Sequence, residues 1–319
     1  MSGPARRPAL LLANSAAGSA SVDTLDDVEA VLRAGFAVTR ATSDAPDELR
    51  SILGSFTGGH VIVAGGDGSL HTLVNVLADL DRLDDTVIGV VPMGTANDFA
   101  TGLGLSSDDP VAAARACIDG GPEAMDALVA DDGEVVVNAA HAGVGAVASD
   151  RAQVAKPVVG ALAYPLAGLV AGAMTPGYRL VVTIDGTVVH DGTALFALAA
   201  NGPCLGGGAR LCVGADPADG LVDIMVIGDV PIADRAGLAL RLQRGTHTDH
   251  ERVDLYRGTT LRLHGDAVDH SRDGELRRGL TDATYILRPA AWRMLRSQGP
   301  DMQSDVVPRT VARGHPGRT

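Results

Sequence analysis

Residues 60–75, HVIVAGGDGSLHTLVN, pass from an apolar strand through three glycines and an aspartate into a stretch with helical spacing. A strand that ends in Gly65-Gly66-Asp67-Gly68-Ser69 and enters a helix presents backbone N–H groups at the helix N-terminus with no side chains in the way, which attracts phosphate. Glycine also permits the backbone to wrap closely round a ligand. A phosphate loop of the GxxxxGK[ST] type is excluded, because the single lysine of the chain, Lys156, stands in AKPVV. An aspartate among phosphate-binding amides repels a bare phosphate, so its natural use is to hold Mg²⁺ or to orient a metal-bound phosphate. Taken alone, the same residues also read as a strand–helix turn capped by Asp67 or Ser69.

A second strand ending narrows the choice. TVIGVVP runs into Met93-Gly94-Thr95-Ala96-Asn97-Asp98-Phe99-Ala100, again strand, glycine, hydroxyl and helix start. In a parallel sheet the two turns lie side by side at the carboxyl ends of their strands, where open α/β sheets bind ligands. Asn14, which closes the first strand PALLLAN and is followed by SAAGSA, lines the same edge. Three small-residue turns on one edge make a nucleotide cleft.

Outward from these turns, the first 120 residues or so alternate strands with helices: VDTLDDVEAVLRAG, FAVTRAT, DAPDELRSILGSF, and DDPVAAARACIDG after the second turn. That rhythm implies βαβ units and a parallel sheet. Near GGPEAMDA, residues 120–127, it changes to strands joined at Asp-Gly pairs, as in YRLVVTIDGTVVHDGTALFALAAN, read as three strands. The expected fold is an α/β N-terminal nucleotide-binding domain with a parallel sheet, residues 1–125 joined by 289–298, plus a C-terminal antiparallel β-sandwich domain over 126–288. Residues 299–319 have no period and read as a disordered tail.

Composition removes several classes. The 319 residues are 46% hydrophobic but 3% aromatic, with 40 glycines, so the cores are aliphatic and the turns tight. A net charge of −13 argues against nucleic acid as a partner. Three scattered cysteines suggest neither a disulfide framework nor zinc, and a reducing cytoplasm is the simpler setting. The 22 uncharged residues 157–178 are long enough on paper for a bilayer, yet Pro165 and four glycines favour a buried helix or helix pair. His71 reads as an exposed or capping residue.

GGDGSLHTLVN and PMGTANDFATGLG resemble the two signatures of the diacylglycerol kinase catalytic domain, shared by bacterial lipid kinases, diacylglycerol kinases and sphingosine kinases. The resemblance continues through NAAHAGVGA (138–146), AANGPCLGGGARL (199–211), DPADGLVDI (216–224) and DGE (273–275). It implies an ATP-dependent lipid kinase, with ATP and Mg²⁺ as cofactors and a lipid alcohol such as diacylglycerol as acceptor, peripheral to a membrane surface and without a transmembrane span. Carried over by motif, the nucleotide contacts Asn14, Ser15, Ala16, Ala17, Gly18, Thr42, Gly65, Gly66, Asp67, Gly68, Ser69, Thr72, Gly94, Thr95 and Asn97. Asp67 lies beside the phosphates and Mg²⁺, Glu275 is the general base, and Asp216, Asp219 and the Leu221 carbonyl hold a structural Mg²⁺.

The chain departs from the family pattern at Ser15, where Pro is usual, at Thr101, where an arginine is common, and at Ala218-Asp219, where two aspartates are common. On their residues alone DGE is also a plain β-turn and DPADG a plain loop. Two rivals stand beside the lipid kinase: a soluble-substrate kinase of the NAD kinase type, and a nucleotide- or lipid-binding protein without turnover. An exposed sandwich edge offers a route to a homodimer.

Overall fold

The computed structural model describes residues 6–13, 19–144 and 176–296. Residues 14–18, residues 157–175 of the uncharged segment, and the tail 299–319 lie outside the described residues. The chain divides into two compact units, one comprising the residues up to Asp126 together with those from Ala290, the other Ala127–Pro289.

In the first unit, strands β1 (Arg7–Ala13), β2 (Phe36–Thr42), β3 (His60–Gly65) and β4 (Val87–Pro92) alternate with helices α1 (Ser19–Leu32), α2 (Pro46–Ser55), α3 (Asp67–Asp79), α4 (Asp98–Gly102) and α5 (Pro110–Asp119). β1 pairs in parallel with β2 and β3, and β3 with β4. Helices cover both faces of such a sheet, so the strands read as continuous apolar runs: Val61 to Ala64 of β3 are all buried. The helices start where local chemistry lets them. α2 opens with Pro46, Asp47 and Glu48, which suit a first turn, and Asp109 caps α5 by accepting from the Ala112 N–H at 2.8 Å. Leu11, Val28, Leu32, Phe36, Ile62 and Val91 are buried together in the core.

The unit is closed by the far end of the chain. Strand β5 (Gly121–Ala130) begins in this unit, and the last residues of the long strand β15 (Glu275–Arg296) pair in parallel with β4, Arg293 opposite Val87 and Met294 opposite Ile88. Trp292, fully buried, packs on Phe99 with ring centroids 5.8 Å apart, and its indole N–H donates to the Asp126 carbonyl at 3.2 Å.

The second unit holds β6 (Val135–Val136), β7 (Ala139–Gly143), β8 (Tyr178–Ile184), β9 (Thr187–Ala200), β10 (Cys204–Leu205), β11 (Ala209–Arg210), β12 (Val222–Gly228), β13 (Val253–Gly258), β14 (Thr260–Arg272) and most of β15. Its pairings are antiparallel: β9 joins β7, β8 and β12, while β14 joins β15, β7 and β8. Alternate residues of β12 enter two cores, Ile224 and Val226 in one, Met225 and Ile227 in the other. A strand buried on both faces loses the apolar–polar alternation of a half-exposed one.

Two expectations change here. YRLVVTIDGTVVHDGTALFALAAN forms two strands, because Asp185-Gly186 turns (φ 47° and 80°) while Asp191-Gly192 stays inside β9 with Gly192 opposite Leu180. The segment after β12 contains a helix, α6 (Ile232–Arg244), that the strand-rich surroundings hide. Its local signals are sound: Asp234 in the first turn, Arg241 and Arg244 in the last, and Gly245 in the left-handed conformation after it.

Candidate active site

The two glycine turns meet in the first unit. Sheet register sets Thr42 of β2, Ala13 of β1, Ala64 of β3 and Val91 of β4 in one row at the carboxyl ends of the strands. One residue further, Gly65 stands opposite Pro92, and the Met93 N–H donates to the Gly65 carbonyl at 2.9 Å. Beyond that bond the turns touch backbone to backbone: a Cβ added to Gly94 would lie 2.5 Å from the Gly66 Cα. Only glycine at both positions allows this approach.

The glycine turn is shorter than its sequence suggests. Gly66 is the extended N-cap and α3 begins at Asp67, so Asp67, Gly68 and Ser69 already form the first helical turn. Asp67 spends its carboxylate on the other loop: one oxygen accepts from the Asp98 N–H at 2.8 Å, the other from the Phe99 N–H at 3.1 Å. These are first-turn amides of α4, whose N-cap Asn97 is left-handed (φ 52°, ψ 42°). Asn97 in turn closes the second loop on itself, accepting from the Gly94 N–H at 3.0 Å and donating to the Gly94 carbonyl at 2.8 Å. Gly65, Gly66, Asp67, Leu70, Val90, Asn97 and Ala100 line a small hollow between the loops.

Around it, Thr42, Gly68, Gly94 and Thr95 are exposed, and a Cβ on Gly68 would meet no atom within 4 Å. The Thr72 hydroxyl donates to the Gly68 carbonyl at 2.9 Å, and Ser69 packs over Gly65. Of the residues from Gly66 to Ser69 only Gly68 is exposed, and the Ser69 N–H already donates to the Gly66 carbonyl at 3.0 Å. His71, expected exposed or capping, is buried at 7% exposure because it falls on the inner face of α3 with Leu70 and Val74.

The second unit carries Glu275 at the head of β15. It follows a hairpin turn at Asp273-Gly274, both with positive φ (50° and 95°), with Arg272 and Glu275 in register across it. Glu275 is exposed, whereas Arg272 is buried, its side chain 1% exposed. Arg272 contacts Asp132 at 2.6 Å and Glu134 at 2.7 Å, and Arg277 contacts Glu134 at 2.7 Å. Burial alone would lower the guanidinium pKa of Arg272; the Tyr285 hydroxyl and the two carboxylates outweigh it and raise the value. Two buried histidines nearby, His141 and His270, are pushed down to about 4, by burial first and then by neighbouring positive charge.

The loop before β12 carries Asp216, Asp219 and Leu221, with both aspartates exposed and bonded within the loop. Asp216 accepts from the Ala218 N–H at 3.1 Å and Asp219 from the Leu221 N–H at 3.0 Å, while the other Asp219 oxygen pairs with Arg257. Among the described residues no group of three or more His, Cys, Asp or Glu side chains is disposed to hold a metal ion.

Six contributors carry no signal in residue type: the Asp98 and Phe99 amides, Asp273, Glu134, Arg272 and Arg257. Asp98 contributes a backbone N–H, which no side-chain pattern announces.

A family model described as the diacylglycerol kinase catalytic domain matches residues 8–130, and one described as the YegS C-terminal NAD kinase beta sandwich-like domain matches residues 138–296. A diacylglycerol kinase of Bacillus subtilis is 29% identical over 220 residues, covering 67% of this chain and 70% of the relative. A protein of Shewanella frigidimarina named a probable lipid kinase YegS-like is 33% identical over 223 residues, covering 66% and 71%. Among solved structures, a diacylglycerol kinase from Bacillus anthracis superposes with a TM-score of 0.70 at 19% identity, covering 92% of this chain and 97% of that one, a likeness of fold.

Proposed function

Because the chain belongs to the diacylglycerol kinase family of lipid kinases, we propose that it transfers the γ-phosphate of ATP to the hydroxyl of a lipid alcohol, diacylglycerol or a close relative. The observation that carries this reading is the backbone contact of Gly66 with Gly94, which joins two phosphate-type turns into one glycine-walled edge.

Phosphoryl transfer needs little covalent help from a protein; positioning and charge stabilisation do most of the work. The N–H groups at the start of α3, with the exposed Thr42 and Thr95 at the carboxyl ends of β2 and β4, would bind and orient the nucleotide phosphates. Neither glycine turn carries a lysine or arginine, and magnesium bound to ATP would supply positive charge at the phosphates. Asp67 holds the two turns together through the α4 amides, which keeps the phosphate-binding backbone in one shape. A lipid hydroxyl is a poor nucleophile at neutral pH, and Glu275 is the carboxylate that takes its proton as the new P–O bond forms. The acceptor lies in a membrane, so the protein works at a membrane surface; among the described residues no helix is long and apolar enough to cross one.

The experiment is transfer of radiolabelled phosphate from ATP to dioleoylglycerol in detergent micelles, run beside NAD as acceptor. Labelled phosphatidic acid, reduced at least a hundredfold by Glu275→Gln, is the expected outcome, within the 10²–10⁴-fold range of general-base catalysis. Label in NAD instead would assign the chain to soluble-substrate kinases, and ATP binding without any labelled product would make it a binding protein.

A further inference from the structure

We propose that Asp273 is a positioning residue that fixes Glu275 in space. This rests on the reading of Glu275 as the base. The Asp273 carboxylate gathers three consecutive backbone amides: it accepts from Val137 at 2.7 Å, and from Asn138 and Ala139 at 2.9 Å each. Its own N–H donates back to the Ala139 carbonyl at 3.0 Å. Four bonds therefore rivet the turn to the segment that leads into β7. Hydrogen bonds to an ionised carboxylate are shorter and stronger than neutral ones.

The rest of the hairpin end is held as firmly. Arg272, before the turn, is locked by Asp132 and Glu134, and Arg277, after it, is locked by the same Glu134. Glu134 thus ties both strands of the hairpin, one on each side of the turn. Glu275 stands between these anchors and is exposed. A two-residue turn leaves its flanking residue no slack, so anchoring Asp273 sets where the Glu275 Cα lies. A general base must be within hydrogen-bond reach of the proton it takes, and a displacement of about 1 Å can cost about a hundredfold in rate.

The protein contains its own control. Asp185, in the same Asp-Gly type of turn, accepts from the Thr259 N–H at 3.0 Å and the Thr260 N–H at 2.9 Å, at a hairpin to which no chemistry is assigned. The inference separates the two: both aspartates stabilise their turns, but only Asp273 acts on turnover.

The test is a double-mutant cycle on the full chain with the dioleoylglycerol micelle assay. Asp273→Asn keeps the size of the side chain, and Asp273→Ser is a second variant for the case in which the first does not fold; far-UV circular dichroism and melting are recorded for each. We expect Asp273→Asn to lower kcat about 10- to 100-fold with KM for ATP within about twofold, no further loss when it is added to Glu275→Gln, and wild-type kcat in Asp185→Asn despite a lower melting temperature. The inference is overturned if Asp273→Asn keeps wild-type kcat, or if its loss is undiminished in the Glu275→Gln background. Should Glu275→Gln itself leave transfer unchanged, the base assignment fails instead, whatever Asp273 does.

Discussion

The carboxylate of Asp67 lies 2.8 Å from the backbone nitrogen of Asp98, 31 residues further along the chain. With its second bond to the Phe99 N–H, this makes the first acid of the glycine turn the N-terminal anion of the helix that follows the second turn. Asp67→Ala leaves two part-buried amides without that acceptor and should cost about 1–3 kcal/mol. The sole tryptophan, Trp292, belongs to the same unit and reports its unfolding by fluorescence in urea. An unmoved midpoint would show that the link contributes nothing.

Gly94→Ala should separate the two turns. The new Cβ would stand 2.5 Å from the Gly66 Cα and 2.8 Å from the Asn97 side-chain oxygen, distances that only backbone movement relieves. ATP binding, followed by calorimetry, should weaken at least tenfold. Gly68→Ala, with nothing within 4 Å of its Cβ and a place in the first turn of α3, should fold as well as the wild type or slightly better. Equal affinity in Gly94→Ala and wild type would show that the contact does not shape the nucleotide site.

Trp292→Ala removes a fully buried ring packed on Phe99 and should destabilise the first unit by about 3–5 kcal/mol. Circular dichroism during thermal unfolding reads the change, and a loss under about 1 kcal/mol would mean that the end of β15 is dispensable to that unit.

Stability should fall on mild acidification. His141 and His270 have pKa values lowered from 6.5 to about 4, by burial first, so both are neutral in the folded chain. Above 6.5 their contribution is complete. Between about 6.5 and 4 the unfolded chain takes up protons that the folded one refuses, and stability declines as pH falls through that window. Melting temperatures measured across it should drop, and drop less in His141→Gln. A flat profile in the wild type would contradict the buried neutral state.

The parallel strands and both glycine turns are legible in sequence, because apolar runs and glycines act over a few neighbours, whereas Asp-Gly pairs mislead at Asp191-Gly192, which lies inside β9. What escaped reading acts over distance. Nothing around Asp67 names Asp98 as its partner, and nothing around Asp273 names the amides of Val137 to Ala139, 134 to 136 residues away. Arg257 beside Asp219 is a similar case, fixed by the pairing of β12 with β13. α6 was missed for the opposite reason: its local signals are present, but strands on either side drew the whole segment into one pattern. His71 shows a third limit, since a polar residue on the inner face of a helix looks the same in sequence as one on the outer face.

β4 pairs in parallel with β3 on one side, and its partner on the other side comes from Arg293 and Met294, at the end of β15. On the ribosome, β1 to β4 therefore emerge long before their sheet can be completed, and at synthesis rates of about 5–20 residues per second the flank of β4 waits on the order of ten seconds for its neighbour. An uncovered strand flank is a template for pairing with another chain. The first unit therefore stays open along β4 until residues 293–294 are made, and that interval is one in which it is exposed to chaperones and to aggregation.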